Sequence, residues 1–327
     1  MSESDKRKRP NILLITTDQH HFSALGKENP KLKTPNLDRL CEEGVQFTRA
    51  YCSNPTCTPS RASILTGMYP SQHGAWSLGT KLLEEVPTLT QELKKRGYAT
   101  ALIGKAHFEP LRTTEEFDSL ESHPLLNDLD FWRKFNGPYY GFDYIQLARN
   151  HADEGHVGEH YALWMEKKGF KEWRDYFRKP GGNKKKLSFN TGCWEIPEEY
   201  HYNAFIAERT NEKLEECGNN GKNFFVWASF LDPHYPQLTP EPWCSMYDPE
   251  EVEVPKLVPG EHANSPPHTM IVQNTLKKGQ PFRNFFRKVK AFFKMLKLAK
   301  YYWDFKKHGF EMKFLHGFHP HFYHEEK

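Results

Sequence analysis

Three short runs of continuous apolar, β-forming residues punctuate the chain: residues 11–17 (NILLITT), 98–103 (YATALI) and 223–230 (NFFVWASF). Runs of this length without alternation suit strands buried on both faces, as in a parallel sheet. Helix signals lie between them. Thr34 caps, Pro35 opens and Gly44 closes a segment with helical spacing. Residues 57–67 place Pro59 in a first turn, where its missing N–H costs nothing, and Gly67 just past the end. Residues 87–96 read as a helix with Thr88 or Thr90 near its start and Gly97 as its stop, and residues 197–217 carry apolar positions at helical period. Residues 45–51 alternate as a strand would. Strands alternating with helices predict an α/β fold, a mostly parallel sheet sandwiched by helices.

Each apolar run ends in polar residues. The first leads into Asp18-Gln19-His20-His21, the second into Gly104-Lys105-Ala106-His107, the third into Asp232-Pro233-His234. Ligands of open α/β sheets gather at the carboxyl ends of strands, so these three clusters are expected to converge. Asp18 and Gln19 offer hard oxygen donors suited to Ca²⁺ or Mg²⁺. Lys105 can neutralise an anionic oxygen, and His107, two residues on, shares its face if the backbone is extended. His234 can move a proton. Cys57 sits at the mouth of its helix, where free N–H groups and the macrodipole favour an anion, and Arg61 follows one turn later. His20 and His21 read as surface or supporting residues, and His73 as a loop organiser. His151, His156 and His160 are too irregularly spaced to read as a metal site.

The stretch Cys57-Thr58-Pro59-Ser60-Arg61-Ala62-Ser63-Ile64-Leu65-Thr66-Gly67 resembles the signature of the type I sulfatases, Cys-x-Pro-Ser-Arg-x-x-x-Leu-Thr-Gly, at every defined position. The block from Thr34 to Leu40, the Tyr69-Pro70-Ser71-Gln72-His73-Gly74 stretch, Gly-Lys-x-His at 104–107 and Pro-His-x-Pro at 233–236 are similar to further motifs of that family. The resemblance runs from residue 11 to about residue 250. It implies an alkaline-phosphatase-like fold and hydrolysis of a sulfate monoester, either a small molecule or a saccharide. Cys57 would be oxidised to formylglycine by a separate maturation enzyme. The resemblance further implies Asp18, Gln19 and position 57 as ligands of a divalent metal, Ca²⁺ first, with Mg²⁺ or Mn²⁺ as alternatives. It assigns Cys57, Arg61, Lys105, His107 and His234 to catalysis. Many sulfatases carry two adjacent aspartates where this chain has Asp18-Gln19; phosphonate monoester hydrolases of the superfamily have Asp-Gln. Phosphonate or phosphate ester hydrolysis is therefore the alternative activity.

The pattern then breaks. The Asp-Asn or Asp-His pair that completes the family's metal site occurs nowhere in the chain, and no second active-site lysine follows. Residues 1–260 read as the N-terminal part of a catalytic α/β domain, incomplete at its C-terminus, and residues 261–327 as a basic, aromatic and His-rich tail. From Leu276 to Lys307 there are eleven Lys/Arg and one acidic residue, Asp304. The tail is read as truncated or divergent sequence, as a basic amphipathic segment that touches anionic membrane, or as a source of substitute histidine ligands for a different metal. A catalytically incomplete remnant with a polyanion- or membrane-binding tail is the non-enzymatic alternative.

Bulk properties add little. The 327 residues carry a net charge of only +3, which argues against nucleic acid as a partner. No run approaches the roughly 20 apolar residues of a membrane span, and the basic N-terminus lacks the apolar core of a secretory signal. The chain is accordingly expected to be cytoplasmic. Six cysteines without a tight CxxC pair are expected to be reduced thiols.

Overall fold

A computed structural model describes residues 9–149, 157–178, 186–188, 191–253, 256 and 258–260. The chain divides into two compact units, Met1–Tyr247 and Asp248–Lys327. All of the regular elements below belong to the first. In chain order they are β1 (Ile12–Thr16), α1 (Pro35–Glu43), α2 (Cys57–Thr66), α3 (Pro70–His73), α4 (Leu89–Lys95), β2 (Ala99–Gly104), α5 (Leu129–Lys134), β3 (Tyr144–Leu147), α6 (Glu159–Lys167), α7 (Trp173–Arg178), β4 (Lys186–Ser188), β5 (Thr191–Trp194), α8 (Tyr202–Asn219), β6 (Phe224–Ser229) and β7 (Gln237–Pro240).

The expected α/β architecture is present. The main sheet has strand order β1-β6-β2-β3, and every pair in it is parallel. The register is level at the carboxyl edge: Thr16 and Gly104 both pair with Ser229. Strands β2 and β6 are central and buried on both faces, which is why their sequences are continuous apolar runs. Their side chains sort onto two cores. Ala101, Ile103, Val226 and Ala228 pack with Tyr161, Trp164 and Phe205 of α6 and α8. Leu102, Phe225 and Trp227 pack with Ala62, Leu65 and Trp132 of α2 and α5 on the other face. Fully burying each such large side chain contributes on the order of 2–3 kcal/mol.

Three expectations are corrected. β1 is not buried on both faces: its burial alternates, with Leu13 41% and Ile15 55% exposed, because among the described residues it pairs only with β6. Residues 45–51 form no strand; Val45, Phe47 and Tyr51 are exposed in irregular backbone. Alternation alone does not make a strand without a partner to bond. The cysteines are not all free: Cys193 of β5 is disulfide-bonded to Cys244 just after β7. The two are 51 residues apart and meet because β5 and β7 pair in a second, small sheet of order β4-β5-β7. Spacing cannot reveal a bond made by tertiary contact. No helix among the described residues is long and apolar enough to cross a membrane. The basic tail, His151 and His156 lie outside the described residues.

Candidate active site

The level carboxyl edge of β1, β2 and β6 brings their polar ends to one place. Asp18 follows β1, and its N–H donates to the Asp232 carbonyl after β6 at 3.1 Å. Lys105 follows β2, and its N–H donates to the Ser229 carbonyl at 2.9 Å. At Gly104 a Cβ would sit 2.0 Å from that same carbonyl, so only glycine allows β2 to approach β6 this closely; its φ of 100° also disfavours a side chain.

α2 delivers the sulfur. Cys57 is the first residue of the helix, after an extended Thr56, and Gly67 closes the far end in the left-handed conformation with its N–H on the Ser63 carbonyl. Cys57 Sγ lies 3.6 Å from Lys105 Nζ and 4.0 Å from Asp18 Oδ2. Lys105 Nζ is 2.5 Å from the same Asp18 oxygen, with the lysine wholly buried. Arg61, buried one turn into α2, spans the strand ends. Its Nη1 donates to the Lys105 carbonyl at 2.8 Å and to Ser229 Oγ at 2.6 Å, and its Nη2 reaches Asp18 Oδ2 at 3.4 Å. His234 completes the cluster: donor atoms of Asp18, Cys57 and His234 all lie within 4.8 Å of one another.

The electrostatics follow from that packing. Burial pushes the Asp18 carboxyl up, but Lys105, Arg61 and His234 outweigh it and hold the carboxyl below its ordinary value. Burial pulls the Lys105 ammonium down, opposed by Cys57 and Asp18 and helped by Arg61. Burial and the Lys105 charge likewise lower His234. Two cations against one carboxylate, at a helix N-terminus, make a centre that favours an anion.

The remaining candidates fall around this cluster. Gln19 is exposed, with φ 60°. His107 is buried, but its backbone is left-handed at φ 57°. The extended geometry that would set Lys105 and His107 on one face is therefore absent. His107 instead hands its N–H to Glu121, a buried carboxylate that sequence reasoning missed, since nothing local links positions 14 residues apart. His73 organises its loop as expected. It is buried, its Nδ1 accepts from the Ala75 N–H and its Nε2 bonds Ser63 Oγ of α2. His20 bonds Thr17 and the Ala24 carbonyl, and His21 bonds Ser23, both as supporting residues. His160 is structural: its ring accepts from the Leu147 N–H and donates to the Phe135 carbonyl, and burial lowers it to about 4. Ser229, which anchors Arg61, is a further support missed in the sequence, and Asp232, already singled out after the third apolar run, is held by the Tyr202 hydroxyl at 2.6 Å and Asn203 Nδ2 at 2.7 Å.

A divalent cation is accommodated only in part. Asp18 is a hard oxygen donor at the cluster and Gln19 follows it in the chain, whereas Cys57 and His234 bring softer sulfur and nitrogen. The shell of six to eight oxygens that Ca²⁺ takes needs more donors than these.

The chain is similar to several known proteins. The multifunctional alkaline phosphatase superfamily protein PehA of Trinickia caryophylli is 32% identical over 273 residues, 80% of this chain and 49% of PehA. An arylsulfatase of Clostridium perfringens is 30% identical over 270 residues, 78% of this chain and 49% of that protein. The phosphonate monoester hydrolase of Agrobacterium radiobacter superposes with a TM-score of 0.55 at 25% identity, covering 75% of this chain and 45% of that one. The chain thus spans about half the length of these relatives, 49% of each curated one. The family model described as Sulfatase matches residues 10–255, and the chain belongs to the sulfatase family.

Proposed function

We propose that the protein is a sulfuric ester hydrolase whose reacting centre is position 57, oxidised from cysteine to formylglycine by a maturation enzyme. The observation that carries this reading is the sulfur of Cys57 at the start of α2, 3.6 Å from the buried Lys105 amine and 4.0 Å from Asp18. As its hydrate, formylglycine supplies an oxygen nucleophile for sulfur and a second hydroxyl whose deprotonation releases sulfate. Lys105 and Arg61 place fixed positive charge where the sulfate oxygens gain negative charge, and being buried they lose little to solvent. His234, lowered by burial and by Lys105, is neutral near pH 7 and can accept a proton or hydrogen-bond a sulfate oxygen. Asp18 and Gln19 would hold the family's divalent ion, Ca²⁺ by their oxygen chemistry, which adds Lewis-acid stabilisation of the sulfate oxygens. His107 lies on the loop that carries Lys105 and would assist sulfate release. The substrate is a small-molecule or saccharide sulfate ester.

A second reading, phosphonate or phosphate ester hydrolysis, has its own support. The chain carries Asp18-Gln19 at the end of β1, and the Agrobacterium structure described above is that of a phosphonate monoester hydrolase. Purified protein offered an aryl sulfate and phenyl phosphonate in parallel separates the two. Faster turnover of the sulfate is expected, together with loss of thiol mass in the peptide containing Cys57. An unmodified thiol with no sulfate turnover would overturn the proposal.

A further inference from the structure

The loop that follows β2 is buried along its whole length: Lys105, Ala106, His107, Phe108 and Glu109 are each 2% exposed or less. Buried backbone N–H groups need acceptors, and past Lys105 the sheet no longer supplies them. One side chain takes three in succession. Glu121 Oε2 accepts from the His107 N–H at 2.7 Å, and Oε1 from the N–H groups of Phe108 at 2.9 Å and Glu109 at 3.3 Å. The left-handed φ of His107, 57°, turns these successive amides toward one point, the geometry of an anion-binding nest filled here from within the chain. The Tyr139 hydroxyl adds a fourth donor at 2.9 Å. A carboxylate is acceptor-only, so Glu121 matches four donors where an amide would present N–H to N–H. The grip is reciprocal: Glu109 Oε2 accepts from the Leu120 N–H at 2.6 Å, and Lys81 Nζ reaches the Glu109 carboxylate at 3.1 Å. Arg149 fastens the Glu121 carbonyl in turn.

We infer that Glu121 is a positioning residue for the reacting centre. Lys105 is held on its strand side by the Ser229 carbonyl and on its loop side by the Glu121 clamp two residues on, and this sets its amine between Cys57 and Asp18. The inference rests on the reading of this centre as an ester hydrolase for its rate effect, and on geometry alone for the clamp.

The test uses the full chain, converted at position 57 and metal-loaded, with Glu121→Gln. In ¹⁵N-labelled wild type the amides of residues 107–109 should exchange slowly, and in the variant they should lose about 100-fold or more of that protection while the amides of Ala101–Ile103 keep theirs. The Lys105 Nζ resonance should move. Aryl sulfate kcat should fall about 10- to 100-fold, since a misplacement near 1 Å costs that much. Ser122→Ala, which removes a buried hydroxyl bonded to Thr113 and to the Ser119 and His123 carbonyls but not to residues 105–109, should stay within about twofold. Added formate should restore part of the rate and the protection in Glu121→Ala. A folded Glu121→Gln with wild-type kcat or an unmoved Lys105 resonance overturns the inference. Should the variants fail to fold, rapid exchange at 107–109 in the wild type overturns it alone. Absence of ester turnover in the wild type with an intact clamp would instead remove the proposed activity, and the Lys105 resonance would still decide the positioning.

Discussion

Two buried charged groups lead to separate predictions. Lys105 is fully buried, and its amine bridges the oxygen of Asp18 and the sulfur of Cys57. Replacing it with methionine keeps the stem and deletes the charge, so the loss should fall on the rate. The expected drop in kcat/KM for a sulfate ester is about 10²–10³-fold, the size seen when a fixed donor to a developing anion is removed. Steady-state kinetics on folded, converted Lys105→Met check this; a loss under tenfold would place Lys105 outside the charge-stabilising set. Glu159 opens α6 with φ 54°, and its carboxyl is buried beside Arg149. Burial first, then the nearby Glu121 charge, raises it to about 8, against the opposing pull of Arg149. A raised folded pKa means that the native state holds the proton longer than the unfolded chain. Its contribution is therefore complete below pH 4.5 and is lost as pH rises through about 8. Glu159→Gln copies the neutral form. Thermal melts should show the variant more stable than wild type by a few kcal/mol at pH 9, with the difference gone at pH 5. Equal destabilisation at both pH values would show that the carboxyl is not the buried charge inferred here.

At the level of strands and helices, the site depends on how closely β2 and β6 approach. Gly104→Ala would drive a Cβ to within 2.0 Å of the Ser229 carbonyl at a φ of 100°, so the strands must part or the backbone must flip. A cost of about 3 kcal/mol is expected from strain and overpacking. Activity should fall further than stability, because Lys105 and Arg61 both bond the displaced segment. Urea unfolding beside kinetics tests this; unchanged kinetics in a destabilised variant would separate the strand contact from the site. These elements also show what a sequence can disclose. β2, β6, α2 and α4 were readable because their determinants are local: unbroken apolar runs, Pro59 and Gly67 around α2, and the Thr88 cap on the Gln91 N–H at the start of α4. The convergence of Asp18, Lys105 and His234 was readable because parallel strands align their carboxyl ends. Glu121, Ser229 and the Cys193–Cys244 bond were not, because each acts through a partner brought close only by the completed fold. The left-handed turn at His107 goes together with the Glu121 clamp, and neither residue signals it alone.

Across the unit Met1–Tyr247, apolar surface is distributed unevenly. The two cores flanking the sheet are dense in aromatic side chains, whereas the far side of β1 carries Leu13 and Ile15 at 41% and 55% exposure. Nearby in sequence, α1 buries none of its residues, and Leu37, Leu40, Val45, Phe47 and Tyr51 are exposed as well. Exposed apolar side chains on a strand that pairs on one side only among the described residues are a self-association hazard. Sequence reading placed β1 inside the sheet because Ile12, Leu13, Leu14 and Ile15 are apolar without interruption, a pattern that belongs to a strand covered on both faces. The conflict between that composition and the observed exposure leads to a direct expectation. Ile15 is half-exposed and points away from the buried face, so a lysine there should leave the fold intact and change only how molecules meet. Ile15→Lys should shift sedimentation of the 327-residue chain toward smaller species and weaken binding of an apolar dye, with the urea midpoint altered by less than about 1 kcal/mol in equivalent stability. A large loss of stability would mean that Ile15 is already packed in solution. Unchanged association and dye binding would mean that this face is not the sticky one.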